Sequence, residues 1–211
     1  VKENIPAILA QWYAGEQEGN SIADILFGNV NPSGKLTFSF PQSTGHLPVY
    51  YNYLPTDKGY YKEPGTYEKP GRDYVFSNSS PLWAFGYGLS YTTFKYSDID
   101  VEADSVSFTV TNTGSILGKE ISQLYISAPG KMVFTPKREL KGFAKISLKP
   151  GESKRVTIPL DDKAFRYWNV KTNRWEQEEG VYKISVGRSS EDIVLSDEIT
   201  LKGTSDKKPY D

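Results

Sequence analysis

The stretch SVSFTVTN, residues 105–112, alternates apolar and polar side chains without interruption. Val106, Phe108 and Val110 fall on one side of an extended chain, and the Ser, Thr and Asn side chains fall on the other. A period of two residues is typical of a strand with one buried face. The stretch therefore predicts a β-strand that packs on a hydrophobic core.

The same pattern recurs between residues 97 and 203. RVTIPL at 155–160 and VYKISVG at 181–187 alternate in the same way. Turn-forming sequences separate these runs: NTGS at 112–115, KPGE at 149–152 and EEG at 178–180. Short strands divided by turns, with no helical pattern between them, predict a β-sandwich of the immunoglobulin or fibronectin type III class.

Residues 1–92 follow a different pattern. AILAQWYA at 7–14 predicts a buried strand that turns at Gly15, and EQEGNSIADILFG at 16–28 predicts a short helix. KLTFSFP at 35–41 predicts a second strand, which Pro41 ends. One helix and two strands cannot bury much core. We therefore expect residues 1–92 to be the terminal portion of an α/β sandwich, cut from a longer chain.

Composition excludes several classes of function. The 211 residues carry a formal net charge of −1, which argues against a nucleic-acid partner, and they contain no cysteine and one histidine. No apolar run is long enough to span a membrane. The sequence predicts no cofactor and no metal site. The polar tail at 204–211 is expected to be poorly ordered.

The stretch FGYGLSYTTF, residues 85–94, begins like a dinucleotide-binding loop, but Tyr91 stands where the third glycine belongs and no helical pattern follows. We interpret it as a connector that leads into the first strand of the sandwich. His46, the single histidine, lies in the turn-like sequence STGHLP. It is interpreted as a loop histidine that binds nothing rather than as a catalytic base.

Carboxylates are the remaining candidates for chemistry. They occur in three clusters: Glu16 and Glu18; Asp161 and Asp162; Glu176, Glu178 and Glu179. Glycoside hydrolysis needs two carboxylates that face each other across a cleft. Neighbours in sequence rarely do so, and all three clusters are interpreted as solvated charge. No catalytic residue is therefore predicted in this chain.

Several separate blocks carry a family resemblance. AILAQWYAGEQEGNSIADILFGNVNPSGKLTFSFP, then LPVYYNY and FGYGLSYTTF, resemble the C-terminal part of glycoside hydrolase family 3 β-glucosidases. VTNTGSILGKEISQLYIS and RELKGFAKISLKPGESKRVTIPLD are similar to the fibronectin type III-like domain of that family. The resemblance covers roughly residues 5–201.

The resemblance implies a mixed fold: the terminal portion of an α/β sandwich at 1–92, a fibronectin type III-like domain at 93–203 and a polar tail at 204–211. It implies a retaining enzyme that removes terminal β-linked sugars through a covalent intermediate. The nucleophilic Asp and the acid/base Glu would lie upstream, so this chain alone is expected to be inactive. Its implied partners are the upstream part of the enzyme and an oligosaccharide or β-glucoside substrate, with no membrane partner and a periplasmic or extracellular location.

Two functional questions stay open at the level of sequence. Arg72, Tyr74 and Trp83 are candidates for the rim of the substrate cleft, although such aromatics also pack a loop on its own scaffold. The alternative function is a stand-alone carbohydrate-binding or spacer module without enzymatic activity. An exposed Trp168–Trp175 pair would favour that alternative. We expect these two residues to lie on a hairpin with one ring packed on the sandwich.

Overall fold

The computed structural model describes residues 3–52, 68, 80–204 and 207–210. The described residues of the N-terminal part contain one α-helix, α1 (Glu18–Leu26), preceded by a 3-10 turn at Gly15–Gln17. Nine strands follow: β1 (Phe94–Val101), β2 (Ser105–Asn112), β3 (Gly118–Ser127), β4 (Glu139–Leu148), β5 (Ser153–Pro159), β6 (Arg166–Asn169), β7 (Arg174–Gln177), β8 (Gly180–Gly187) and β9 (Ile193–Leu201).

The strands form a two-sheet sandwich with an added hairpin. One sheet has the order β1-β2-β5 and the other β4-β3-β8-β9, and all pairs are antiparallel. β4 joins the sheet of β3, whereas in the immunoglobulin constant arrangement the fourth strand joins the first two. The hairpin β6-β7 stands apart as a two-stranded sheet between β5 and β8.

The core lies between the two sheets, as the alternation predicts. Val106, Phe108 and Val110 of β2 are fully buried. Each of the three pairs in register with a residue of β5. The inward rows of β5 and β8 are buried as well: Val156, Ile158, Tyr182, Ile184 and Val186. The predicted β-sandwich is confirmed, and β1 begins at Phe94, where the connector was expected to enter its first strand.

The N-terminal predictions are partly wrong. α1 is confirmed, but AILAQWYA forms no strand, and its apolar side chains Ile8, Leu9 and Trp12 are exposed. A strand exists only where a neighbour accepts its backbone hydrogen bonds. No described segment lies beside residues 7–14 in that way, so the apolar pattern alone does not produce a strand.

KLTFSFP is also not a regular strand. It makes an isolated bridge, Phe40 to Trp83, and hydrogen-bonds the segment before β1 at both ends. The bonds at one end join Leu36 N to Tyr87 O at 2.9 Å and Gly86 N to Leu36 O at 2.8 Å. Residues 36 and 40 thus pair with residues 82–87 through separate hydrogen bonds and not as a continuous strand. The boundary between the two domains at residues 92 and 93 stays a prediction.

The C-terminal tail is better placed than its composition indicates. Pro209 is buried, and the Asn169 side chain of β6 donates to Lys207 O at 2.8 Å. The Tyr210 hydroxyl accepts a hydrogen bond from Phe134 N at 3.0 Å. Residues 207–210 therefore make specific contacts, contrary to the expectation of poor order, because the hairpin and the Phe134 backbone offer hydrogen-bond donors to the tail.

Candidate functional site

The FGYG segment fastens the N-terminal part to the sandwich. Gly86 has φ +80°, a conformation that glycine adopts without strain. A Cβ on Gly88 would lie 2.2 Å from Gly34 O, so the two backbones touch at this point. The interpretation of this stretch as a connector is consistent with a path that only glycine can follow.

Gln123 of β3, on the outer face of the four-stranded sheet, hydrogen-bonds the connector. Its amide nitrogen donates to Gly86 O at 3.0 Å and to Arg188 O at 2.8 Å. Its amide oxygen accepts from the Tyr125 hydroxyl at 2.6 Å. Tyr51 stacks on Phe85 with ring centroids 4.3 Å apart, next to this amide network. One buried side chain thus holds backbone from two separate loops.

Asn31 makes a second fastening on the other side of the connector. Its side-chain oxygen accepts from Tyr91 N at 2.8 Å and from the Ser90 hydroxyl at 3.0 Å. Its side-chain nitrogen donates to Leu117 O at 3.1 Å, just before β3. The turn NPSG therefore binds both the connector and the sandwich.

A buried ion pair lies between these two fastenings. Lys35 Nζ is 3.6 Å from Glu120 Oε1, and the two side chains are 11% and 3% exposed. The ammonium also donates to Gly88 O at 3.0 Å. The Tyr96 hydroxyl donates to Glu120 Oε1 at 3.0 Å and accepts from the Ser122 hydroxyl at 3.1 Å. This ion pair therefore joins Lys35 of the N-terminal part to Glu120 of β3 in a place that is largely shielded from water.

Burial dominates the electrostatics of this cluster. It lowers the pKa of Lys35 and raises the pKa of Glu120, and the attraction between the two charges only partly opposes both shifts. Burial also raises the pKa of Tyr96, and the nearby Glu120 carboxylate adds to that rise. Removing the two charges from water costs free energy, and the attraction and hydrogen bonds between the buried groups offset that cost.

Sequence reasoning missed Lys35, Glu120 and Gln123. The signal was present in β3, where KEISQLY places Glu120 and Ser122 on positions that alternation assigns to the interior. A polar residue at an inward position needs a partner. The partners of Glu120, Lys35 and Tyr96, are 85 and 24 residues away in sequence, and local patterns do not reveal them.

An aromatic cluster lies beside the connector. Phe40 packs against Trp83 edge to face, with ring centroids 5.4 Å apart. Phe38 and Trp12 extend the row, at 5.2 Å from Phe40 and 5.6 Å from Phe38 respectively. Trp12 is 61% exposed and Phe38 42% exposed. The row therefore ends as an open apolar surface.

Other large apolar side chains of the described N-terminal residues, before, within and after α1, are exposed as well: Ile5, Ile8, Leu9, Tyr13, Leu26, Phe27 and Val30. Soluble monomers rarely expose contiguous apolar patches of more than a few hundred Å². Exposed apolar side chains in this number are therefore unusual for the surface of a soluble monomer.

The three predicted rim residues have different outcomes. Arg72 and Tyr74 lie outside the described residues. Trp83 is described and half-buried, paired with Phe40 through backbone and ring. The rim role of each of the three stays a prediction.

His46 lies in its loop, as expected, at the end of the 3-10 turn Thr44–His46. Its side chain is fully buried, and Nδ1 accepts a hydrogen bond from Gln42 N at 3.1 Å. Burial lowers its pKa. The interpretation of His46 as a loop histidine that binds nothing stays a prediction.

Two of the seven clustered carboxylates are also buried, contrary to the solvated interpretation. Glu176 Oε2 accepts from the Asn169 side chain at 2.8 Å, and its Oε1 accepts from the Thr172 hydroxyl at 2.8 Å. Glu178 accepts from the backbone N–H groups of Lys131 and Met132. Both carboxylates serve as backbone and loop anchors on the hairpin side of the sandwich. The other five acids are exposed, as expected.

Among residues 3–52, 80–204 and 207–210, no three His, Cys, Asp or Glu side chains are grouped so as to hold a metal ion. No helix of the described part is both long and apolar enough to cross a membrane. The described residues offer instead a joint between the N-terminal part and the sandwich, formed by the contacts of Gln123, Asn31 and the Lys35–Glu120 pair. The exposed apolar face at Trp12 and Phe38 lies beside it.

Comparison with known proteins accounts for both halves. The profile of the glycosyl hydrolase family 3 C-terminal domain matches residues 1–91, and that of the fibronectin type III-like domain matches residues 120–190. The chain carries the C-terminal domain of glycosyl hydrolase family 3. It corresponds to the C-terminal region of the family's proteins.

Relatives of known name agree with this family assignment. The chain is 42% identical to thermostable beta-glucosidase B of Acetivibrio thermocellus, over 96% of this chain and 28% of that protein. It is 42% identical to the periplasmic beta-glucosidase of Salmonella typhimurium (87% and 25%) and 41% identical to an exo-alpha-(1->6)-L-arabinopyranosidase of Bifidobacterium breve (98% and 28%). The chain thus spans about a quarter of the length of these relatives.

A solved structure carries the same arrangement of the two parts. A β-glucosidase of Erythrobacter marinus superposes with a TM-score of 0.81 at 38% identity, covering 95% of this chain and 26% of that one. The mixed fold is therefore confirmed: the end of an α/β sandwich followed by a fibronectin type III-like sandwich.

Proposed function

We propose that this chain is the non-catalytic C-terminal portion of a retaining, exo-acting β-glycosidase, specifically a β-glucosidase. The whole enzyme removes terminal β-linked glucose from oligosaccharides. Its nucleophilic Asp and acid/base Glu belong to the upstream part, which is the partner of this chain. The role of the chain is to complete the α/β sandwich and to brace it with the fibronectin-like domain.

The observation that carries this proposal is the open apolar face at Trp12, Phe38 and α1. The rigid joint supports it, because Gln123 and the Lys35–Glu120 pair hold that face in a fixed position on the sandwich. A surface that is both apolar and held in place fits permanent packing against the preceding part of the enzyme, since obligate interfaces resemble a domain core cut in half. The relatives' length, about four times that of this chain, agrees with such a partner.

The first test is hydrolysis of an aryl β-glucoside by the purified 211-residue chain, with intact-mass analysis of the same sample. We expect no turnover from a single species of 23.7 kDa. Turnover by that single species would overturn the assignment of the catalytic carboxylates to the upstream part.

A chimera tests the supporting role. The chain replaces the matching quarter of the Acetivibrio thermocellus relative, and activity is compared with that of the relative lacking this region. We expect an active chimera and an inactive truncation. In the chimera, Trp12→Asp with Phe38→Ser should reduce the yield of active enzyme at least tenfold, because charge and polarity then face the packed surface. The matched control is Phe143→Ser on the outer face of β4, which should leave activity unchanged.

The rim residues are part of the proposal. In the same chimera, substitution of Arg72, Tyr74 or Trp83 by Ala should raise KM for the aryl glucoside while the enzyme stays folded. A loss of folded enzyme without a change in KM would assign the residue to packing. The proposed location of the enzyme is the periplasm or the cell exterior, following the name of the Salmonella relative.

A specific observation favours a second role for the sandwich. β6 and β7 form the expected hairpin, and Trp168 pairs across it with Trp175. The expectation that one ring packs on the sandwich is wrong: the two residues are 47% and 42% exposed. Both rings contact each other instead, which leaves an aromatic surface open. We therefore propose, as the second candidate, that the sandwich also works as a carbohydrate-binding module.

A further inference from the structure

We infer that the hairpin β6-β7 binds acidic polysaccharide chains, through its two tryptophans and the cations around them. The inference rests on the proposed carbohydrate-binding role of the sandwich and adds the chemical class of the ligand. It concerns the face of the hairpin that carries Trp168 and Trp175, which lies apart from the open apolar face at Trp12.

The two tryptophan rings are fixed before any ligand arrives. Trp168 and Trp175 are cross-strand partners, and their ring centroids lie 5.8 Å apart at an interplanar angle of 72°. Edge-to-face pairs of this kind are attractive, and cross-strand contacts hold both side chains in one rotamer. Binding to such a pair loses little side-chain entropy. The exposed ring surface is therefore a ready contact for the C–H face of a sugar.

The hairpin anchors this pair from behind. Asn169 and Glu176 lie diagonally across the hairpin on the opposite face, and they are buried and hydrogen-bonded to each other at 2.8 Å. Asn169 also holds the C-terminal tail through Lys207 O. Because polar groups fill the inner face, the tryptophans occupy the outer one. Their exposure follows from how the hairpin is anchored.

The charges around the rings are positive. Lys163 Nζ lies over the Trp175 ring, 5.3 Å from its centroid, and the exposed Arg166 stands two residues before Trp168, on the same face of β6. Between residues 163 and 177 the sequence contains a single acid, Glu176, which is buried. In a chain of net charge −1, this concentration of cations is local. Asp161 and Asp162 precede the segment, and Asp161 accepts the Lys163 backbone N–H at 2.9 Å.

Charge complementarity selects the ligand. Guanidinium groups bind carboxylates and sulfates through charge-assisted hydrogen bonds, whereas a neutral glucan offers only hydroxyl groups. A polysaccharide with acidic substituents satisfies the cations and the rings at once, because its rings present C–H faces between the charged groups. An acidic polypeptide would satisfy the cations alone.

The test is affinity electrophoresis of the complete 211-residue chain in gels that contain carboxymethylcellulose or hydroxyethylcellulose. The two polymers share one backbone and differ in charge. We expect strong retardation by carboxymethylcellulose and weak retardation by hydroxyethylcellulose. Trp168→Ala with Trp175→Ala should weaken both interactions at least tenfold. Lys163→Gln with Arg166→Gln should remove the preference for the charged polymer, and added salt should do the same to the unchanged chain.

Controls separate the possible failures. Phe143→Ala removes an exposed aromatic ring from β4 and should change nothing. Equal retardation by both polymers would overturn acidic selectivity while leaving the carbohydrate-binding role intact. No retardation by either would overturn both. Equal retardation by poly-L-glutamate, unaffected by the tryptophan changes, would show a purely electrostatic surface and overturn the inference. The outcome of the chimera test, which concerns the supporting role of the chain in the enzyme, is independent of all these results.

Discussion

Lys35→Met should destabilise the chain by about 3 kcal/mol at neutral pH, because it leaves the Glu120 carboxylate buried without its cation. Met keeps most of the length and the apolar volume of the lysine stem. The measurement is urea unfolding followed by the fluorescence of the tryptophans and by circular dichroism. The matched control is Lys154→Met, which removes an exposed ion pair with Glu152 at 3.2 Å and should cost less than about 1 kcal/mol.

The deficit of Lys35→Met should depend on pH in a defined direction. Burial raises the pKa of Glu120 above its ordinary 4.5, and loss of Lys35 raises it further. A carboxyl whose pKa is higher in the folded state contributes stability below pH 4.5 and loses that contribution as the pH rises through its folded value. The variant should therefore lie close to the unchanged chain at pH 4 and furthest from it at pH 8.

The double variant Lys35→Met with Glu120→Gln decides what the pair does. With both charges removed, no uncompensated charge remains, and stability should return to within about 1.5 kcal/mol of the unchanged chain. If the double variant were as unstable as Lys35→Met at pH 8, the essential contact of Lys35 would be its hydrogen bond to Gly88 O rather than the ion pair.

Gly86→Ala should cost about 3 kcal/mol and loosen the joint. A Cβ at this position would lie 1.9 Å from Gln123 Oε1, and Gln123 is 3% exposed and bonded on both sides of its amide. The new methyl group must displace that amide and its bonds to Gly86 O and Arg188 O. The φ of +80° adds about 1 kcal/mol for any residue with a Cβ. Urea unfolding gives the loss of stability, and exchange of the Gly86 amide, which donates to Leu36 O, reports whether the joint has loosened.

Gly151→Ala is the matched control for this prediction. Gly151 has φ +74° but no atom within 4 Å of an added Cβ, so it should show only the backbone cost of about 1 kcal/mol. A cycle with Gln123→Ala separates the contact from the conformation: in the Gln123→Ala background, Gly86→Ala should cost no more than Gly151→Ala. Equal costs in both backgrounds would show that the side chain of Gln123 is not what Gly86 accommodates.

Local patterns predicted the elements whose stability is local or repetitive. The alternation in SVSFTVTN gave β2 with its inward row, and the amphipathic run before Gly28 gave α1. AILAQWYA failed because a strand needs a hydrogen-bonding neighbour, and composition cannot supply one. The prediction that Glu178 is solvated was wrong for a related reason. Its acidic sequence context indicates solvent, but its carboxylate accepts hydrogen bonds from two N–H groups in a loop 46 and 47 residues earlier.

The sequence by itself determined the fold class, the family and the connector role of FGYGLSYTTF, since each depends on the order of residues along the chain. Only the tertiary structure decided where the polar groups of the joint meet, because Lys35, Gly86 and Gln123 are distant in sequence and their pairing exists only after the sheets form. It also decided that both tryptophans of the hairpin face outward. A pattern of residues states which side chains are apolar, but burial is a property of what packs against them.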